Sequence, residues 1–211
     1  MTDVAIIDYK LGNLYSVYSA CKYVGINAKI TSDRNEILNA KSAILPGVGA
    51  FGEAVENMVS LNLFETTKEF IDTKRPFLGI CLGLQLLFDE SEEFGLNKGL
   101  GIVGGKVKKF DFENNKNDKF PVPQIGWNTI YHERSWEDTL LSDLQKNDYM
   151  YFVHSFYVVP DDKNCILTKS KYGNKEYCSS ILIDNIFASQ FHPEKSGEKG
   201  LNVYRKFKSL L

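Results

Sequence analysis

Four short apolar runs in the first eighty residues, each followed by a segment of helical period, limit the possible folds more than any other feature. "VAIID" (4–8), "AKITS" (28–32), "SAILPGVG" (42–49) and "PFLGI" (76–80) read as strands, the third breaking at Pro46 and Gly47. "LYSVYSACKYVG" (14–25) has helical spacing and ends at Gly25, a residue suited to a C-cap. "DRNEILNA" (33–40) opens on Asp33, suited to an N-cap. Residues 52–73 read as helix in two pieces broken near Leu61 and Asn62, and "LGLQLLFDE" (82–90) as another helix. Strands alternating with helices build a mainly parallel sheet covered on both faces, and its carboxyl-edge loops are available for chemistry.

The second half changes character. "GIVGGKVKKFDF" (101–112) is glycine-punctuated and strand-like, and "DFENNKNDKFP" (111–121) is polar, as in a surface hairpin or loop. "QIGWNTIYHE", "YMYFVHSFYVV", "NCILTKSKYG", "YCSSILIDN" and "IFASQFHP" follow as a series of strands, which predicts antiparallel additions to the sheet. "GEKGLNVYRKFKSLL" closes the chain as a helix. With no repeat or low-complexity linker, residues 1–211 are expected to form one α/β domain.

Bulk properties narrow the function classes. A net charge of −2 gives no electrostatic case for nucleic acid or an anionic membrane surface. No apolar run approaches the roughly 18 residues of a membrane span, and "MTDVAIIDYK" passes straight into a strand with an Asp at position 3, unlike a signal peptide. Cys21, Cys81, Cys165 and Cys178 show no CxxC spacing and no His cluster nearby, which argues against a zinc site or a disulfide framework. The expectation is a cytoplasmic protein without metal or cofactor.

One cysteine is different. In Gly79-Ile80-Cys81-Leu82-Gly83 glycines stand two residues before and after it, between a strand and a helix. That is the spacing of a nucleophile elbow with thiol in place of hydroxyl. The turn places Cys81 at a helix N-terminus, which favours thiolate, and aims the Leu82 amide at any oxyanion formed on attack. A packing cysteine in a tight turn fits the same residues, and this spacing leaves both readings open.

A thiol nucleophile needs a base. Of three histidines, His132 sits in a polar stretch and reads as a surface residue, and His154 in "YFVHSFY" reads as a satisfied half-buried ring. In "QFHPEKS", His192 and Glu194 fall on one side of an extended segment with Pro193 fixing the backbone between them. Cys81, His192 and Glu194 then form a nucleophile–base–orienter set. The glycine-rich turn in "LPGVGAFG" offers backbone amides near Val48 and Gly49 as second oxyanion donors.

The elbow "GICLGLQLL", the loop "PGVG" and the terminal "HPE" together resemble the class I glutamine amidotransferases, which have a flavodoxin-like sheet. "DYKLGNL", "LPGVGAFGEAVENM", "GLGIVGGKVKKF", "QIGWNTI", "YFVHSFYV" and "ASQFHPEKSGEKGL" extend the match along the whole chain, most closely to the glutaminase subunits of histidine biosynthesis. The resemblance implies L-glutamine as substrate, with Cys81 as nucleophile, His192 as proton carrier and Glu194 as its orienter. It implies that Gln85, Glu93, Ser155 and Phe156 hold the amino-acid head of glutamine. It also implies a separate ammonia-accepting synthase subunit, a TIM-barrel cyclase, with Asn13, Tyr151 and Lys195 near the interface. Two departures bear on that acceptor. Gln124 stands where these subunits usually have His, and "IVGGKV" where they usually read Ile-Pro-Gly. Paralogues feeding ammonia to surface-sugar amidation, a stand-alone γ-glutamyl hydrolase and a non-catalytic subunit are the alternatives.

Overall fold

The computed structural model describes residues 2–112 and 120–211, so most of the polar 111–121 segment lies outside the described residues. The first half alternates as β1 (Val4–Ile7), α1 (Leu14–Tyr23), β2 (Ala28–Thr31), α2 (Arg34–Asn39), β3 (Ser42–Gly47), α3 (Phe51–Ser60), α4 (Leu63–Asp72) and β4 (Phe77–Cys81). These strands pair in parallel in the order β2-β1-β3-β4. Asp33 caps α2 by accepting the Glu36 amide at 2.9 Å. Asn62, left-handed at φ 57°, makes the break between α3 and α4.

β1, β3 and β4 are buried along their whole length because both faces are covered, whereas the edge strand β2 leaves Lys29 exposed. Ala5, Ile7, Ala43, Leu45 and Phe77 join one core with Ile37, Phe51, Met58, Phe70 and Ile71 of α2–α4. Val4, Ile6, Ile44, Leu78 and Ile80 join the other with Val17 and Cys21 of α1. Each fully buried large apolar side chain contributes about 1.5–3 kcal/mol.

The rest of the chain runs α5 (Leu82–Leu86), β5 (Phe88–Ser91), β6 (Asn97–Lys98), β7 (Val103–Lys109), β8 (Gln124–Thr129), β9 (Tyr131–His132), β10 (Tyr149–His154), β11 (Phe156–Pro160), β12 (Ile166–Tyr172), β13 (Lys175–Ile183), β14 (Ile186–Ser189) and α6 (Gly197–Lys208). α6 closes the second core with Val203, Tyr204 and Phe207, the i, i+4 and nearby positions of one helix face. The sheet continues past β4 as β14-β13-β11-β7-β5-β6, with β12 and β9 branching from β13.

Three local expectations are corrected. The third strand does not break at Pro46, because Pro46 and Gly47 stay in register with Ile80 and Cys81. The helix after Cys81 ends at Leu86, and "FDES" becomes a strand. There the amides of Leu100 and Ile102 bind the Leu86 and Leu87 carbonyls, so those carbonyls have partners without further helix. Finally, β14 is parallel to β4 although β13 beside it is antiparallel. All four β14 residues are buried, which suits the middle of a two-sided sheet rather than an added edge.

Candidate active site

The elbow is built by close approach. Cys81 sits between β4 and α5 at φ 55°, ψ −106°, a conformation a non-glycine residue adopts only where its surroundings impose it. Those surroundings need the two glycines. A Cβ on Gly83 would lie 1.8 Å from the Leu45 carbonyl oxygen of β3, and one on Gly79 would lie 2.9 Å from Ala188 Cβ of β14. The thiol is thereby fixed at the carboxyl edge of the parallel strands, only 6% exposed.

His192 follows β14, and its Nδ1–H donates to Glu194 Oε1 at 2.8 Å. Both side chains are almost wholly buried. The reach is made by a 3-10 turn, Pro193–Lys195, rather than by the extended segment the sequence suggested. The turn brings the carboxylate under the ring, with Pro193 at its first position. The backbone holds the ring too, since His192 N–H donates to the Tyr151 carbonyl at 2.9 Å. Ser196 Oγ donates to the His192 carbonyl at 2.6 Å and accepts the Tyr151 amide at 3.0 Å. Burial pushes the His192 pKa down, but Cys81 and Glu194 beside it overcome that, and the imidazole is raised well above its usual range. Nε2 has no well-formed hydrogen bond among the described residues, so its relation to Cys81 is a close electrostatic approach.

A cavity of about 390 Å³ opens beside the sulfur, lined by Val48, Gly49, Leu82, Gln85, Glu93 and Ser155, with Cys81, Pro123, Val153, His154, Phe156 and Lys195 completing the wall. Leu82 is the first residue of α5, and Gly49 turns at φ 102°. Gln85 Nε2 donates to the Phe156 carbonyl and to Gln190 Oε1, each at 3.1 Å. Glu93 Oε2 accepts the Phe51 amide at 2.7 Å, tying the acidic segment to the start of α3. The three-residue set, the oxyanion candidates and the head-group candidates therefore meet at one place.

Of the three interface candidates, Tyr151 and Lys195 are neighbours, with the ammonium 5.9 Å from the ring centroid. Trp127 meets Tyr151 edge-on at 6.1 Å. Asn13 precedes α1 and is half-buried.

Sequence reasoning missed two residues here. Gln190, fully buried, donates from Nε2 to Cys81 Sγ at 3.5 Å while its Oε1 receives Gln85, so it links the nucleophile to the pocket floor. Its place two residues before His192 on an extended run was the available signal. His154 is buried with Nδ1–H donating to the Phe156 carbonyl at 2.8 Å, as a satisfied ring should, but it also forms part of the cavity wall. His132 is exposed, with its ring edge-on to Trp136. Among the described residues no three His, Cys, Asp or Glu side chains cluster as metal ligands. A larger cavity of about 600 Å³, near Phe77, Phe187 and Phe207, lies at the opposite edge of the strands, away from the triad.

The geometry agrees with the comparisons. The model of the family described as "Glutamine amidotransferase class-I" matches residues 5–208. The chain is 45% identical over 208 residues to the imidazole glycerol phosphate synthase subunit HisH of Methanocaldococcus jannaschii, covering 99% of this chain and 100% of the relative. It is 44% identical over 204 residues to the subunit of that name from Aquifex aeolicus, covering 96% and 94%. Among solved structures, that of PurLQS from Thermotoga maritima superposes with a TM-score of 0.70 at 20% identity, covering 99% of each chain. A glutamine amidotransferase from the same organism superposes with a TM-score of 0.62 at 16% identity, covering 99% of this chain and 83% of the other. From the elbow cysteine to the helix that follows the His-Pro-Glu turn, this chain belongs to the class I glutamine amidotransferase family.

Proposed function

We propose that the chain, acting as one catalytic domain, is the glutaminase subunit of an imidazole glycerol phosphate synthase in histidine biosynthesis. The observation that carries this reading is the buried His192–Glu194 pair beside Cys81 in a pocket, in a chain 45% identical to a HisH subunit. Cys81 Sγ attacks the side-chain amide carbon of glutamine as His192 takes the thiol proton. The oxyanion is stabilised by the Leu82 amide and the Val48–Gly49 turn. His192 returns the proton to the departing nitrogen, the C–N bond breaks, and ammonia leaves a thioester on Cys81. Water then attacks with His192 as base, the C–S bond breaks, and glutamate and the thiol are restored. Glu194 keeps the ring in the tautomer that presents Nε2 to the reaction. Gln85, Glu93, Ser155 and Phe156 hold the head of glutamine.

Ammonia released into open water becomes ammonium, which is no nucleophile, so it must pass through a closed path to an acceptor. The acceptor is a separate synthase subunit, a TIM-barrel cyclase, seated over Asn13, Tyr151 and Lys195. The departure at Gln124 does not argue for a different acceptor. Gln124 is buried and accepts the Tyr177 hydroxyl at 3.0 Å, so it packs the interior. All four cysteines are unpaired and buried, and no described helix is long and apolar enough to cross a membrane, in keeping with a cytoplasmic enzyme.

The test is glutamate formation from glutamine by the chain together with its co-purified synthase subunit. Wild type should turn over, faster when the cyclase substrate is bound, and Cys81→Ala should not. Turnover surviving Cys81→Ala would sink the mechanism. Full activity on γ-glutamyl peptides without any partner would sink the subunit assignment.

A further inference from the structure

Two buried polar atoms near the triad lack partners among the described residues and are chemically complementary: Glu194 Oε2 and the hydroxyl of Tyr204. Tyr204 is fully buried on α6, and the Glu194 side chain is 1% exposed. They are brought together by a close approach of α6 to the 193–195 turn. A Cβ on Gly200 would stand 1.9 Å from the Pro193 carbonyl oxygen, so the helix backbone lies directly on that turn. Tyr204 follows Gly200 by four residues and therefore projects from the same face.

The proximity has an electrostatic signature. The Tyr204 phenol is pushed up first by burial, then by Glu194 and by Cys21. It thus keeps its proton and is available as a donor. The Cys21 thiol is itself raised to about 12 by burial, so it stays uncharged. Oε2 is the second oxygen of a carboxylate whose first oxygen already serves His192. A buried carboxylate oxygen and a buried phenol, each unpaired, are both costly, and one hydrogen bond relieves both.

We infer that Tyr204 is a positioning residue of the catalytic set: its hydroxyl donates to Glu194 Oε2, directly after a small rotation or through one buried water, and holds Oε1 on His192 Nδ1. This rests on the glutaminase reading above. Packing alone asks for any large apolar side chain at this helix position, so the hydroxyl is the informative atom.

Tyr204→Phe removes only that oxygen and keeps the ring that packs the core. In the complex with the synthase subunit, kcat for glutamine hydrolysis should fall about tenfold with KM unchanged. In a Glu194→Gln background the same substitution should cost almost nothing, because the two residues act as a unit. In the isolated chain, Cys81 should react correspondingly more slowly with an electrophilic glutamine analogue. A wild-type kcat for Tyr204→Phe, or an equal fractional loss with and without Glu194, overturns the inference. Cys81→Ala run in parallel separates the failures. Turnover by that variant removes the glutaminase reading itself. An inactive Cys81→Ala with an unimpaired Tyr204→Phe removes only the role of Tyr204.

Discussion

Alanine at position 83 tests whether the elbow depends on close packing. The new Cβ would meet the Leu45 carbonyl at 1.8 Å from the oxygen and 2.8 Å from the carbon. Leu45 lies mid-strand and in register with Gly79, so the carbonyl cannot swing away without breaking the ladder between β3 and β4. α5 must instead lift by about 1.6 Å to regain ordinary contact. Overpacking of this kind costs about 1–3 kcal/mol, and a backbone obstacle belongs at the upper end. At about 2–4 °C per kcal/mol for a chain of this length, Tm should drop by roughly 6–12 °C. The displacement also carries Leu82 and Cys81, and a misplacement of about 1 Å at a reacting centre costs on the order of 100-fold in rate. Urea unfolding and glutamine turnover measure the two effects. Gly52→Ala is the control. Its Cβ would be 2.9 Å from the Asn97 side-chain oxygen, a group that can move, and Gly52 lies in α3, where alanine favours the helix. A Gly83→Ala protein with wild-type urea midpoint and turnover would refute this account of the elbow.

Two further outcomes are expected. Burial first, then the neighbouring His192 charge, holds His154 down at about 4 against the raising effect of its bond to Phe156. An unfolded histidine titrates near 6.5, so between about pH 6.5 and 4 only the unfolded chain takes up this proton. Stability should therefore fall by about 3 kcal/mol as pH drops through that window and be unaffected by this group above it. Unfolding free energies measured against pH should show that slope reduced in His154→Gln; an unchanged slope would exclude His154 as its source. Glu93→Gln keeps an acceptor for the Phe51 amide but removes the carboxylate charge that the proposed function sets against the ammonium group of glutamine. KM should rise about 10–100-fold with little change in thermal stability, and an unchanged KM in steady-state kinetics would remove Glu93 from the head-group site.

The parallel half of the fold, the elbow at Cys81 and the pairing of His192 with Glu194 were legible because each depends on local spacing. Apolar runs report two-sided burial, and glycines flanking Cys81 report close approach on both sides. The fate of "FDES" was not legible, because the amides that bind the Leu86 and Leu87 carbonyls arrive from Leu100 and Ile102, across a turn. The parallel place of β14 was hidden for a similar reason. Its neighbour β4 lies more than a hundred residues earlier, and no local pattern announces so distant a partner. Glu194 was identified for its spacing, but the 3-10 turn that delivers it reaches the same contact by another route. Gln190 and Tyr204 went unassigned because each resembles an ordinary packing residue until its neighbours are known.

β8 and β10 pair only with each other and form a ribbon separate from the twelve-stranded sheet. One edge of this ribbon bears on Cys81 and His192. The Val153 carbonyl lies 3.8 Å from Cys81 Sγ, and the Tyr151 carbonyl holds the His192 amide. Its other side presents Ile125, Trp127 and Tyr149 to the exterior. The same two strands therefore carry both the backbone carbonyls that meet Cys81 and His192 and the large apolar side chains that face outward, so whatever covers Ile125, Trp127 and Tyr149 rests one strand-width from the site.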